Sequence, residues 1–412
     1  MGGDLMQVIS DVICGMDVHK NSITACVLAR KKKEIRTFGT MTEDLLLLVD
    51  WVKSYDCTHV AMESTGVYWK PVYNLLELEP SIQTYVVNAQ HIKNVPGRKT
   101  DVKDAEWIAD LLKHGLLKPS YIPNRDQREL RELVRYRRSL IDERARESNR
   151  IQKVLEGANI KLGSVATDIL GVSGRLMLRK IIDGEANPET IAQLAKSQLR
   201  KKIALLQRSL NGLIREHQRF MLKSQLNHIE YLEKQIKELD NEIGERLNSA
   251  QDDIERLDSI PGVGVQTAQQ IIAEVGLDMT RFQSAAHLAS WAGMAPGQNE
   301  SAGKKKTART WDGNKYLRSA LVEAAASAIR VKNSYLSAKY YRLKRRRGTK
   351  KARVAIAHQI LVIVYHLLTR KEHYKELGSN HYDQQAIEIK KKRAIKHLVN
   401  LGYDVSLTPH SA

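Results

Sequence analysis

The stretch Val95–Gly115, VPGRKTDVKDAEWIADLLKHG, organises the first part of the chain. A Pro-Gly pair interrupts the backbone, Thr100 is a good N-cap, and apolar residues then recur with the period of a helix. Asp101 and Asp104 fall in the first turn, so both carboxylates project from one side of the predicted helix. Acidic residues also suit the positive end of a helix, which is a purely structural reason for them. Two acidic residues upstream favour a functional role.

The residues before this stretch predict a mixed α/β domain. Short β-rich apolar segments alternate with helical patterns in the order βββαβαβα. The predicted strands are Asp11–Val18, Ser22–Ala29, Glu34–Gly39, Thr58–Met62 and Ile82–Val87, and the predicted helices are Glu43–Ser54, Trp69–Leu78 and the one from Thr100. This order places helices around one central sheet.

Asp17 and Glu63 each follow an apolar run, where a predicted strand ends. A charge at such a place is more often a solvated strand end, and spacing alone leaves that alternative open. If the first and fourth strands are neighbours and the helix from Thr100 covers that edge, Asp17, Glu63, Asp101 and Asp104 converge. Four carboxylates repel one another unless cations offset the charge, and a donor set of oxygens alone suits Mg²⁺ or Mn²⁺. A pair of such ions supports in-line phosphoryl displacement.

The composition favours a polyanionic partner. The 412 residues carry a formal charge of +19 and a pI near 9.6, so nucleic acid is the first choice. No apolar run approaches the ~18 residues of a membrane span, and neither a secretion nor a lipidation signal is recognisable. The three cysteines show no CxxC spacing, which predicts reduced core residues in a cytosolic protein. No GxxxxGK[ST] motif occurs, which argues against ATP hydrolysis.

The middle of the chain is strongly helical and strongly charged. Arginines recur with acidic residues between them over Asn124–Gly157, which fits either a solvated coiled-coil face or phosphate contact. A long helix is predicted from about Ile203 to Leu247, with a coiled-coil seam of Ile229, Leu232, Ile236, Leu239 and Ile243. The seam could pair with the Arg-rich helix of the same chain or with another subunit.

The last part of the chain is predicted to be mostly α-helical. Leu257–Gly276, LDSIPGVGVQTAQQIIAEVG, has the helix-hairpin-helix pattern, in which backbone N–H groups near Gly262 and Gly264 can bind phosphate. An ordinary tight turn between helices has the same pattern. Further on, Lys339–Arg353 holds nine Lys and Arg residues, including Arg345 and Arg346, beside two tyrosines, which suits phosphate contact with some stacking. The basic stretch Glu388–His397 is either a solvated helix or a nucleic-acid contact.

Ser301 lies in a polar segment, GMAPGQNESAGKKK, that begins at Gly293. Taken alone it is an ordinary loop serine, because no adjacent His or Asp marks a base that would activate it.

Several motifs together resemble the DEDD transposases of the IS110 insertion-sequence family. They are GMDVHKNSITACVL, AMESTGVYWKPVYNLL, VVNAQHIKNVPGRKTDVKDAEWIADLLKHGLL, GMAPGQNESAGKKK and GNKYLRSALVEAA. The resemblance implies an RNase H-like (RuvC-like) N-terminal domain in which Asp17, Glu63, Asp101 and Asp104 are the catalytic metal ligands. It also implies that Ser301 attacks DNA and forms a phosphoserine link to the cleaved strand.

The resemblance further implies partners and contacts. A structured bridge RNA selects donor and target DNA in this family, subunits assemble as a dimer or tetramer through an extended helical segment, and the host is bacterial or archaeal. Lys99 and Lys103 would lie near the scissile phosphate. Other phosphate contacts would be Lys304, Lys305, Arg309 and Arg318.

The sequence thus predicts four segments and one function. The segments are a RuvC-like DEDD nuclease domain over 8–122, a helical coiled-coil segment over 124–252, a C-terminal transposase domain over 254–378 and a basic tail over 379–412. The predicted function is an insertion-sequence transposase that uses Mg²⁺ or Mn²⁺ and a serine nucleophile. The alternatives are a RuvC-like nuclease of the junction-resolvase type, with water as nucleophile, and a non-enzymatic basic protein that packages nucleic acid.

Overall fold

A computed structural model describes residues 10–30, 32–64, 66–88, 104–297, 300–301, 304–305, 310 and 313–406. The chain divides into two compact units, Met1–Pro123 and Asn124–Ala412. The boundary lies one residue before the Arg-rich helix predicted from the sequence. The finer predicted division of the second unit, at residue 253, stays a prediction.

The first unit is built on one five-stranded sheet. Its strands are β1 (Val12–Val18), β2 (Ile23–Ala29), β3 (Lys32–Phe38), β4 (His59–Glu63) and β5 (Gln83–Val87). The order across the sheet is β3-β2-β1-β4-β5, with β1 to β3 antiparallel and β1, β4 and β5 parallel. The expectation that the first and fourth strands are neighbours is therefore confirmed.

Helices cover both faces of this sheet. They are α1 (Thr42–Lys53), α2 (Trp69–Leu76) and α3 (Asp104–Lys113). Alternate side chains of β1 point to opposite faces, so Cys14 and Met16 share a core with α1 and α2, while Ile13 packs with α3. The expectation that this last helix covers an edge of the sheet is wrong. It lies across the face of β1, β2 and β4, because its apolar residues recur with the helical period.

The second unit is helical apart from one small hairpin, as far as its described residues show. Its helices are α4 (Arg125–Gly157), α5 (Leu162–Val165), α6 (Val172–Ile182), α7 (Pro188–Ala192), α8 (Ile203–Leu210), α9 (Glu216–Arg246), α10 (Gln251–Asp258), α11 (Val265–Val275), α12 (Ala285–Trp291), α13 (Lys315–Ala328), α14 (Tyr335–Arg347), α15 (Thr349–Arg370) and α16 (His381–Asn400). The hairpin strands are β6 (Glu300–Ser301) and β7 (Lys304–Lys305), and short 3₁₀ segments are Ser197–Lys202, Asn248–Ala250 and Met279–Arg281.

The predicted long helix from about Ile203 is interrupted. It is divided into α8 and α9, because the chain turns at Gly212, where a Cβ atom would lie 2.3 Å from the carbonyl oxygen of Ala158. The apolar seam of α9 packs along α4 of the same chain. Ion pairs between the two helices, such as Arg144–Glu233 at 2.8 Å, lie beside this seam. Of the two alternatives, the structure shows the pairing within one chain, where the two helices cover each other's apolar stripe. Assembly of subunits through this segment stays a prediction.

Helix α15 is the centre of the second unit's largest core. Among the described residues it is the one helix whose length and composition would suit a membrane span. Its buried side chains, Ile356, Ile360, Leu361 and Val364 among them, belong to one core with apolar residues of α12, α13 and α14, the helices that pack against it. These contacts account for its apolar character as a core helix.

Candidate active site

Two acidic residues come together where parallel strands end. β1 and β4 run in the same direction with Met16 opposite Met62, so Asp17 and Glu63 follow at the same end of the sheet. Because side chains alternate along a strand, Asp17 shares a face with Ile13, and Glu63 shares a face with Ala61. Ile13 and Ala61 both belong to the core beneath α3. The two carboxylates therefore lie on the face that α3 covers.

Asp104, the first residue of α3, adds a third carboxylate. Burial raises the pKa of Asp17, and the neighbouring charges of Asp104 and Glu63 raise it further, whereas His19 lowers it. The Nε2 atom of His19 lies 3.0 Å from Oδ2 of Asp17, a contact that the sequence analysis did not predict. All three side chains offer the oxygen donors that a hard divalent cation prefers, which makes them candidate ligands.

The fourth predicted ligand, Asp101, lies outside the described residues, as do Lys99 and Lys103. Within the described part of the chain, no group of three or more His, Cys, Asp or Glu side chains is arranged closely enough to hold an ion. Asp17 has Glu63 and Asp104 as charged neighbours, but the three described side chains are not arranged as a metal site. The complete ligand set stays a prediction.

Ser301 lies in a short β-hairpin of the second unit. Its backbone pairs with Lys304, and Glu300 pairs with Lys305, so the serine is the last residue of β6. A separate, isolated β-bridge joins Pro296 to Thr310 nearer the base of the loop. At the base, the two chain segments touch at Gly313, where a Cβ atom would lie 2.3 Å from the backbone nitrogen of Gly293. Arg309 lies outside the described residues.

The helix that follows the serine loop, α13, is anchored by a buried polar network. Asn314 is its N-cap residue, and the Oδ1 atom accepts hydrogen bonds from the backbone N–H groups of Tyr316 and Leu317, both at 3.1 Å. Its Nδ2 atom donates to Glu274 at 2.6 Å, and Glu274 also accepts two hydrogen bonds from Arg135. The sequence analysis missed this network, although the Asn before a helical pattern is a recognisable N-cap signal.

The PGVG turn between α10 and α11 has two different glycines. Gly262 has a φ of +87°, and a Cβ atom there would lie 2.4 Å from the carbonyl oxygen of Ala324 in α13. Its lack of a side chain therefore serves packing within the protein, and the expected contact of its backbone with a phosphate stays a prediction. Gly264 caps α11 and has open space around its Cβ position, so the N-terminus of α11 keeps its predicted capacity for an anion.

The basic residues fall into two groups. Seven arginines of α4 pair with acidic residues of the second unit, including Arg135 with Glu274 and Arg138 with Glu323, which favours a structural role for them. By contrast, Arg345 and Arg346 at the end of α14 are exposed, and Arg318 of α13 is half-buried. Contact of these residues with nucleic acid stays a prediction.

Carboxylates at one end of a mixed sheet, in a chain with a net charge of +19, are typical of metal-dependent enzymes that act on nucleic acid. Comparison with protein families agrees with this class. A transposase model named DEDD_Tnp_IS110 matches residues 14–160, and the model "Transposase IS116/IS110/IS902 family" matches residues 254–342.

Curated relatives span most of the chain. It is 26% identical to the transposase for insertion sequence element IS1111A of Coxiella burnetii, over 88% of this chain and 91% of that protein. It is 24% identical to the pilin gene-inverting protein of Moraxella bovis, over 87% of this chain and 95% of that protein. The chain belongs to the IS110 family of transposases, and its activity is that of a DNA transposase.

Proposed function

We propose that this transposase cuts and rejoins DNA through a phosphoserine intermediate at Ser301, with divalent ions held by Asp17, Glu63, Asp101 and Asp104. The observation that carries the proposal is the grouping of Asp17, Glu63 and Asp104 at one end of the sheet. The sheet order, an antiparallel meander followed by two parallel strands, supports an RNase H-like fold for this unit.

The carboxylates supply the ligands for the metal. Mg²⁺ or Mn²⁺, when bound, would offset the charge that develops on the phosphate during the displacement. Asp17, Glu63, Asp101 and Asp104 hold the ions, and His19 orients the carboxylate of Asp17 through its 3.0 Å contact.

Ser301 supplies the nucleophile. Its Oγ atom forms a bond to phosphorus, the phosphodiester P–O bond breaks, and the leaving strand departs with a free hydroxyl after proton transfer. One phosphodiester is replaced by another, so the reverse attack by a strand hydroxyl reseals DNA without an external energy source. Because the phosphodiester bond energy is conserved in this exchange, the proposed recombinase differs from a nuclease of the junction-resolvase type, in which water attacks the phosphorus.

Other parts of the second unit supply affinity. The open N-terminus of α11 at Gly264 and the exposed arginines at the end of α14 support contact with phosphates. We propose that these surfaces hold DNA and a structured bridge RNA, and that the active assembly is a dimer or tetramer. The similarity to a pilin gene-inverting protein supports inversion of a DNA segment as a further outcome of the same chemistry.

The test is a denaturing gel of purified protein with Mg²⁺, candidate bridge RNA and end-labelled DNA. Wild type, Ser301→Ala and Glu63→Ala are compared. We expect a covalent protein–DNA adduct in wild type and none in either variant. Free cleaved ends that persist in Ser301→Ala would instead assign a nuclease that uses water. Tight binding by all three proteins with no cleavage would contradict the proposed chemistry.

A further inference from the structure

Glu274 is a fully buried carboxylate in the last turn of α11. Its exposed fraction is 0%, and Arg135 of α4 binds it in bidentate fashion, with Nε at 2.7 Å from Oε1 and Nη2 at 2.7 Å from Oε2. The Arg135 guanidinium also lies 4.2 Å above the centre of the Tyr316 ring. An ion pair this deep gains little net stability, because desolvation of the charges offsets their attraction. Stability alone therefore does not explain why this pair is buried.

One side chain, that of Asn314, connects the carboxylate of Glu274 to the end of the serine loop. Asn314 donates from Nδ2 to Oε2 of Glu274 at 2.6 Å, while its Oδ1 atom caps α13. Capping needs only the oxygen, and the amide nitrogen of an N-cap Asn can face water. The buried contact with Glu274 thus does more than cap the helix: it fixes the orientation of the side chain and of the backbone that carries it.

Asn314 stands where the loop rejoins the helical core. The preceding residue, Gly313, touches the chain at Gly293, and the Pro296–Thr310 bridge lies just above that contact. The direction in which the hairpin leaves the core is therefore set by the backbone at these positions, and Ser301 lies at the far end of the pairing.

We infer that Glu274 is a positioning residue for Ser301, acting through Asn314 on the base of the serine hairpin. The inference rests on the proposed role of Ser301 as nucleophile. A nucleophile must approach phosphorus in line, and a displacement of about 1 Å can cost on the order of 100-fold in rate. The buried carboxylate of Glu274 accepts three hydrogen bonds, two from Arg135 and one from Asn314, and hydrogen bonds to a charged partner are short and directional.

The decisive variant keeps the N-cap of α13 and removes the hydrogen bond between Asn314 and Glu274. Asn314→Asp retains an oxygen that caps α13, because Asp is as good an N-cap as Asn, but it replaces the Nδ2 donor with an acceptor facing Glu274. We expect the single-turnover rate of adduct formation to fall on the order of 100-fold, with DNA affinity within about threefold of wild type.

A second substitution should rescue the first. Glu274→Gln in the Asn314→Asp background exchanges donor and acceptor across the contact and restores a hydrogen bond between the two side chains. We expect the double variant to recover most of the lost rate. A merely structural role predicts no such recovery, because the double variant also removes the ion pair with Arg135.

Gln269→Leu is the matched control. Gln269 is also buried in α11 and also accepts a hydrogen bond from an arginine of α4, Arg137 at 2.8 Å, but no described contact joins it to Asn314. Its loss should lower the thermal midpoint without lowering the adduct rate of the folded protein. Equal rate losses in Gln269→Leu and Asn314→Asp, or an unchanged rate in Asn314→Asp, would overturn the inference.

Amide hydrogen exchange separates this inference from the proposed function. In DNA-free protein, Asn314→Asp should accelerate exchange at 300–305, whereas Gln269→Leu should leave exchange there unchanged. If wild type forms no serine adduct, the proposed chemistry fails, and the exchange pattern still decides whether Glu274 orders the hairpin. Unchanged exchange at these residues in Asn314→Asp would contradict the positioning role directly.

Discussion

Gly15 on β1 lies against Ala109 on α3, so closely that a Cβ atom on Gly15 would be 2.3 Å from the backbone nitrogen of Ala109. This close approach brings the start of α3, and with it Asp104, towards Asp17 two residues further along β1. The acidic site therefore depends on a residue that carries no chemistry of its own.

Gly15→Ala should move α3 away from the sheet. We expect a loss of about 1–3 kcal/mol in the free energy of unfolding, the usual cost of overpacking a core, together with loss of DNA cleavage. Gly244→Ala is the control, since Gly244 lies inside α9 with no atom within 4 Å of its Cβ position. That substitution should stabilise the protein by about 0.5–1 kcal/mol through helix propensity. Urea unfolding measures both, and a neutral effect of Gly15→Ala would contradict the packing.

Asp104→Asn should abolish catalysis and spare the fold. The substitution keeps the shape of the side chain and removes one of the charges that a cation would offset. Because a bound metal contributes several kcal/mol, we expect cleavage to fall by about 100-fold or more, with unchanged DNA affinity. Asp110→Asn, on the same helix and partly exposed, should cleave like wild type. Removal of divalent ions by EDTA should reproduce the Asp104→Asn result in wild-type protein, and cleavage that persists in EDTA would exclude the metal.

The cysteines of the first unit should be unreactive in the folded protein. Burial raises the pKa of Cys57 from 9.0 to about 12 and that of Cys26 from 9.0 to about 11, and it raises the pKa of Cys14 well above its ordinary value. Thiol reagents attack the thiolate, so native protein at pH 8 should react slowly, whereas urea-unfolded protein should release three thiols per chain. Rapid labelling of native protein would show that the sheet opens.

The same shifts set a pH dependence. Above pH 9 the unfolded chain loses thiol protons that the folded chain retains, so the free energy of unfolding should fall as the pH rises from 9 towards 11. Cys57→Ala should weaken this alkaline loss. Chemical unfolding at several pH values measures the slope.

The sequence anticipates local features better than contacts between distant segments. The strands of the first unit and the positions of Asp17 and Glu63 follow from short β-rich apolar runs, which depend only on neighbouring residues. The approach of α3 to Gly15 could not be predicted in this way, because it joins residues far apart in the chain. The same holds for the hydrogen bond between Asn314 and Glu274. In the sequence alone, Glu274 resembles a surface acid and Asn314 an isolated N-cap.

Substitutions in α9 can distinguish a helix pair formed within one chain from a pair formed between subunits. Ile229 is fully buried in the same cluster as Ile151 and Leu155 of α4, whereas Tyr231 on the same helix is 59% exposed. Ile229→Ala should cost about 2–5 kcal/mol of unfolding free energy, and Tyr231→Ala should be nearly neutral. Since both helices belong to one chain, the difference in thermal midpoint between Ile229→Ala and wild type should not change with protein concentration. A difference that grows on dilution would mean that another subunit supplies the partner helix, because mass action then couples the seam to assembly.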